Sequence, residues 1–101
     1  MQTLKERAQF KKIYRHGVRF VGKCALITYM DGSVTEPHLG LTVTKKYGNA
    51  VKRNRFKRLS RAAFSQMAMP PLIYNISPRG PYRPLKCQDL IDDLKRLSDD
   101  L

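Results

Sequence analysis

Asn54, Arg58 and Arg61 stand at i, i+4 and i+7, with Arg55 and Lys57 beside them and Lys52 and Arg53 just upstream. On a helix that spacing brings the first three into one line. Arginine presents a planar, bidentate fork to phosphate, and the asparagine adds a neutral donor and acceptor for a base or sugar edge. The chemistry implied is the binding of a polyanion rather than the breaking of a bond. Neutralising about six to eight phosphates would lower affinity by roughly 10³ to 10⁵ between 50 and 200 mM salt.

Hydrolysis by side chains would need paired carboxylates, a metal cage, or a nucleophile with a nearby base. The sequence offers no such set. His16 and His38 have no spacing relation to a cysteine or an aspartate, and Cys24 and Cys87 stand far apart with no CxxC or Cys/His cluster, as expected of two reduced thiols. Five of the eight acids lie between Asp89 and Asp100, away from the basic residues. Lys46-Tyr47-Gly48-Asn49 has one glycine and no GK[ST], so it is not a phosphate loop. The expectation is no catalytic residue, no metal ligand and no cofactor held by the protein itself.

These cations must be carried by a folded element. From Lys45 to Arg61, eight of seventeen residues are Lys or Arg and none is acidic. A like-charge run is commonly a solvated tail, but here Phe56, Leu59, Ala63 and Met67 share one stripe at 100° per residue, opposite Asn54, Lys57, Arg58 and Arg61. The spacing predicts an amphipathic helix over about 50–67, capped by Asn49 and stopped by Pro70-Pro71. Its N-terminus adds positive potential beside Lys52 and Arg53.

Around this helix the chain reads in order. Thr3, with Glu6 as capping-box partner, would start a first helix through Leu4, Phe10, Ile13 and Tyr14, ended by Gly17. Phe10 and Tyr14 lie four apart among Lys5, Arg7, Lys11, Lys12 and Arg15; they read equally as core or as a stacking edge for unpaired bases. One strand is expected from Phe20 to Met30, turned by Asp31-Gly32-Ser33, and a second over Leu39–Thr44, with Leu39, Leu41 and Val43 on one face. Leu72–Ile76 is a third strand, followed by a loop from Ser77 to Pro84 that carries Arg79 and Arg83. Leu90, Ile91, Leu94 and Leu97 mark a last helix, with Asp92, Asp93, Asp99 and Asp100 expected outside. The order predicts a single-domain α/β (α+β) sandwich, with three helices packed on a small sheet. The link from the second to the third strand is long enough for a parallel crossover.

Totals agree. A chain of 101 residues has room for one core, and a net charge of +12 points first to nucleic acid. With 42% hydrophobic residues, a wholly disordered basic protein is excluded. No apolar run approaches the length of a membrane span, and the N-terminus lacks the apolar region of a signal peptide, so a soluble, cytoplasmic protein with no membrane partner is expected.

Lys45-Lys46-x-Gly48-x-Ala50-Val51-x-Arg53-Asn54-Arg55-x-Lys57-Arg58-x-x-Arg61 resembles the RNR signature of the protein subunit of bacterial ribonuclease P. The likeness extends through Phe10-x-x-Ile13-Tyr14-Arg15-x-Gly17 and Leu39-Gly40-Leu41-Thr42-Val43-Thr44. It implies a left-handed βαβ crossover around the basic helix, against the usual right-handed rule. It also implies a function: with its catalytic RNA, one protein per RNA, the chain would remove the 5′ leader of precursor tRNA, the RNA and its Mg²⁺ performing the hydrolysis. By the family pattern Lys45, Lys46, Lys52, Arg53, Asn54, Arg55, Lys57, Arg58 and Arg61 would face the RNA subunit. Phe10 and Tyr14, with Lys11 and Arg15, would line the cleft for the leader. Two departures are local: Ala62 stands where an acidic or amide residue is common, and Ser77-Pro78-Arg79-Gly80 places Arg after Pro where the family tends to have it before. Composition alone supports a ribosomal or general RNA-binding module equally, and a protein-only nuclease lacks its catalytic residues.

Overall fold

A computed structural model describes residues 2, 3 and 7–101, with side chains from Gln9 onward. The elements are β1 (Gln2–Thr3), α1 (Arg7–His16), β2 (Val18–Val21), β3 (Ala25–Met30), β4 (His38–Leu41), a 3-10 turn (Lys45–Tyr47), α2 (Ala50–Gln66), β5 (Ile73–Pro78) and α3 (Cys87–Asp100). The strands form one mixed sheet in the order β1-β4-β5-β3-β2. β4 and β5 are neighbours and run parallel, with α2 between them in the chain, whereas β3 is antiparallel to both β5 and β2.

The pleat divides the sheet into two working faces. Ala25 and Ile27 of β3, Leu39 of β4, and Tyr74 and Ile76 of β5 form the core with Phe56, Ala63 and Phe64 of α2 and Leu90, Leu94 and Leu97 of α3. Tyr74 is fully buried; its hydroxyl donates to the Pro70 carbonyl at 2.8 Å, and burial pushes its pKa up to about 12. Leu26, Thr28, Gly40, Thr42, Asn75 and Ser77 alternate with these residues and face the other way. On that second side lies α1, anchored by the fully buried Ile13. Gly17 ends it, its N–H donating to the Ile13 carbonyl at 2.8 Å, and a Cβ there would stand 2.5 Å from Thr28 Cγ2.

Several expectations hold. Asn49 caps α2, its side chain accepting from the Lys52 N–H at 3.0 Å, and the predicted stripe faces inward, with Phe56 and Ala63 buried and Leu59 and Met67 packed at its margin. Three readings change. The backbone of Thr3 pairs with Leu39 in the sheet and α1 is described from Arg7; Leu4, Lys5 and Glu6 lie outside the described residues, as do the side chains of Thr3 and Arg7. The single strand expected from Phe20 to Met30 is a hairpin, β2 and β3, turning at Gly22-Lys23-Cys24. Asp93 is not outside: it is 1% exposed, on the same stripe as Leu90, Leu94 and Leu97.

The second and third changes have one cause. The Asp93 carboxylate accepts from the N–H groups of Lys23, Cys24 and Ala25 at 2.9, 2.8 and 3.0 Å, and Arg96 pairs with it at 3.0 Å. A turn with three inward N–H groups would otherwise carry unsatisfied donors. Gly22 makes room for this approach, since a Cβ on it would lie 2.6 Å from both Cγ and Oδ2 of Asp93. Asp93→Asn, which keeps the size but swaps one acceptor for a donor, is expected to cost about 3 kcal/mol of folding stability in urea titrations. Because Gly22→Ala disrupts the same contact, the double variant should lose less than the sum of the two single losses.

Candidate nucleic-acid interface

α2 presents its cations as its amphipathic pattern dictates. Asn54, Arg55, Arg58 and Arg61 are exposed, as are Lys45 and Lys46 on the turn before it, while Arg53 and Lys57 are half-buried at the margins. Among the described residues no carboxylate pairs with any of these side chains; the described ion pair is Arg96 with Asp93. Unpaired like charges at helical spacing repel one another by a few tenths of a kcal/mol each, so the inward stripe has to hold the helix against its own outer face.

Two of the predicted cations are partly engaged within the protein. Lys52 Nζ sits 4.4 Å over the Tyr82 ring, and that ring meets Tyr47 edge-on at 5.6 Å, which meets Phe56 in the same manner at 5.6 Å. Arg55 Nη2 donates to the Leu85 carbonyl at 3.4 Å. Together they dock the 79–85 loop on the first turns of α2. Asn54, Arg58 and Arg61 carry no such internal tie, and they make up the outward row.

A separate hollow lies between α1 and the second face of the sheet. Its larger part, about 410 Å³, is walled by Tyr14, Thr42, Lys46, Tyr47, Ser77 and Pro81. A smaller part, about 170 Å³, adjoins it across Tyr14 and Ser77 and reaches Arg19, Leu26 and Thr28. Tyr14 is 59% exposed, far more than a core ring would be, so the stacking-edge alternative describes it better. Phe10 is half-buried and lines neither hollow, while Lys11 and Arg15 are exposed on the same helix. Hydroxyls, an aromatic edge and a few cations around a groove of this size suit unpaired bases and their backbone. Sequence reasoning named Tyr14 here but missed Thr42, Ser77 and Arg19, and it grouped Lys46 with the helix. The available signal was the strand alternation, which sets Thr42 and Ser77 opposite the core positions.

Among the described residues no group of three or more His, Cys, Asp or Glu could hold a metal ion. The Cys24 thiol is buried; burial pushes its pKa up, Asp93 adds to that, and Arg83, 3.2 Å from the sulfur, opposes it. Asp93 has its lone pairs committed to the turn. No described helix is long and apolar enough to cross a membrane.

A family model described as Ribonuclease P matches residues 1–101. The ribonuclease P protein component of Syntrophus aciditrophicus is 46% identical over 63 residues, 62% of this chain and 53% of that protein. That of Shouchella clausii is 30% identical over 100 residues, 95% of this chain and 82% of that protein. The chain spans about half the length of the first curated relatives that it matches. The RNase P protein of Thermotoga maritima superposes with a TM-score of 0.86 over 100% of this chain and 98% of its own, at 20% identity, a likeness of fold.

The two classes of cation are separable by experiment. Arg58→Ala is expected to weaken binding to structured RNA about five- to tenfold and to lower the slope of log affinity against log salt by about one. Lys52→Ala should change that slope less and act chiefly on the melting temperature, because its ammonium is held over the Tyr82 ring and helps to dock the 79–85 loop; filter binding across a salt series, with thermal melts alongside, reads both.

Proposed function

The chain belongs to the ribonuclease P protein family, and from that premise we propose that it is the protein subunit of a bacterial ribonuclease P, acting in tRNA 5′ maturation. The observation that carries this reading is the presence of two RNA-suited surfaces of different character on one small domain, neither with catalytic groups. The outer row of α2, Asn54, Arg58 and Arg61 with Arg53, Arg55 and Lys57, offers forks and point charges to the phosphates of a folded RNA. The cleft beside Tyr14, about 410 Å³ with Thr42, Thr44 and Ser77 in its lining, suits a single strand, which fits the 5′ leader of a precursor tRNA.

On this reading the protein contributes affinity and position. Cations on α2 screen the catalytic RNA's phosphates, and the cleft holds the leader so that the scissile bond is presented in one register. Hydrolysis is assigned to the RNA with its Mg²⁺; the protein's described residues offer no cage for that ion. One protein per RNA and a cytoplasmic location complete the proposal. A general RNA-binding module would make use of the α2 face alone, and the cleft favours the ribonuclease P reading over it.

Reconstitution tests the proposal. The purified chain should leave precursor tRNA uncut, and adding a bacterial ribonuclease P RNA at low Mg²⁺ should restore 5′ cleavage beyond what that RNA achieves unaided. Cleavage by the protein after rigorous removal of RNA would overturn it, as would an RNA whose low-Mg²⁺ activity the protein does not raise.

A further inference from the structure

Four cations converge on the turn between β2 and β3. Arg79 Nη1 donates to the Gly22 carbonyl at 2.8 Å, Arg83 Nη2 donates to the Lys23 carbonyl at 3.0 Å, Arg96 reaches Asp93, and Lys23 is itself exposed on the turn. Two carboxylates lie near them: Asp93 is buried and already accepts three backbone N–H groups, and Asp89, near enough to Cys24 to help push its pKa up, accepts from the Lys86 N–H, so the cations still outnumber the acids. Carbonyl oxygens hold Arg79 and Arg83 in place without neutralising them. Each guanidinium has five N–H donors, so most remain free to face outward from a fork that is already ordered. Stapling a turn requires only a neutral donor; a surplus of fixed positive charge calls for an anion.

The position of the cluster says which anion. Leu26 and Ser77 are paired across β3 and β5 and line the cleft. Two residues further along the same strands Arg79 donates its N–H to the Cys24 carbonyl at 3.0 Å, which places the cluster about 7 Å beyond the cleft floor. Pro78 and Gly80, on either side of Arg79, wall the larger hollow. We infer that Lys23, Arg79 and Arg83 form a second phosphate site, which takes the backbone of single-stranded RNA where it leaves the cleft across the end of the sheet. The inference rests on the reading of the cleft as the leader site.

The test uses the reconstituted holoenzyme and two precursor tRNAs, one with a long leader and one trimmed to a single leader nucleotide. Lys23→Gln leaves every backbone hydrogen bond of the turn in place, and Arg83→Gln removes the charge while keeping a polar side chain, at the cost of the bond to the Lys23 carbonyl. For the long leader the double variant should lower the salt slope by about 1.4, or about 25-fold in affinity near 0.1 M salt if the contribution vanishes at 1 M. Lys23→Gln alone should give half that slope change, which keeps the test intact if Arg83→Gln unfolds. The single-nucleotide substrate and the affinity for the catalytic RNA should not move, and Arg83→Lys should restore the slope. An unchanged slope on the long leader would reduce the arginines to staples, and an equal loss on both substrates or on the catalytic RNA would place the contact elsewhere; either result overturns the inference. If the wild-type holoenzyme itself does not prefer the long leader, the reading of the cleft fails instead.

Discussion

A buried carboxylate holding a backbone turn is the constraint on which the rest of this small domain depends. Asp93 projects from the apolar stripe of α3 into the β2–β3 turn and accepts from three N–H groups there. Through it α3 is fixed to the sheet at one end while Leu90, Leu94 and Leu97 fill the core beneath. Arg79 and Arg83 then grip the outward carbonyls of the same turn, and the loop they belong to is pinned to α2 by Lys52, Tyr82 and Arg55. One ionic contact thereby positions the hairpin, the cleft rim and the first turns of the basic helix relative to one another. Hydrogen bonds to charged groups are worth about 1.5–3 kcal/mol each, a large share of the stability of a domain this size.

Holding a net charge of +12 on so small a core sets a second constraint. Polyanion binding requires cations that are not neutralised by neighbours, and those cations oppose folding. The structure separates the two demands. Buried Phe56, Ala63 and Phe64 hold α2 from below, and Lys52 and Arg55 are tied to an aromatic face and a carbonyl that fix them against the 79–85 loop. Arg58 and Arg61 stay in the outward row, and the buried stripe beneath has to offset their mutual repulsion.

Local periodicity made α2 legible in the sequence: its cap at Asn49, its inward stripe and its outward row all follow from spacing within a few residues. The hairpin was hidden because Gly22-Lys23-Cys24 has none of the Asn-Gly or Asp-Gly chemistry that marks a tight turn; its donors are met by a side chain 70 residues away. Asp93 was misread by residue type, although its position three residues after Leu90 and four before Leu97 lay on the apolar stripe. The ties of Lys52 and Arg55 could not be read, since the loop that receives them has no periodicity. The spacing of Tyr14 from Phe10 fits a core ring and a stacking edge equally, and its exposure is set by the sheet beneath it rather than by anything local in the sequence.

Two RNA-suited surfaces on one small domain fit the proposed role of placing RNA. In the proposed role α2 faces the catalytic RNA and the Tyr14 cleft faces the leader, on opposite sides of a sheet that keeps their separation fixed. Site-specific photocrosslinking in the assembled holoenzyme tests that division most directly. A photoreactive group at position 14 should label the leader of precursor tRNA and one at position 58 the catalytic RNA, each with little label on the other strand. Crosslinks from both positions to the same RNA would contradict it.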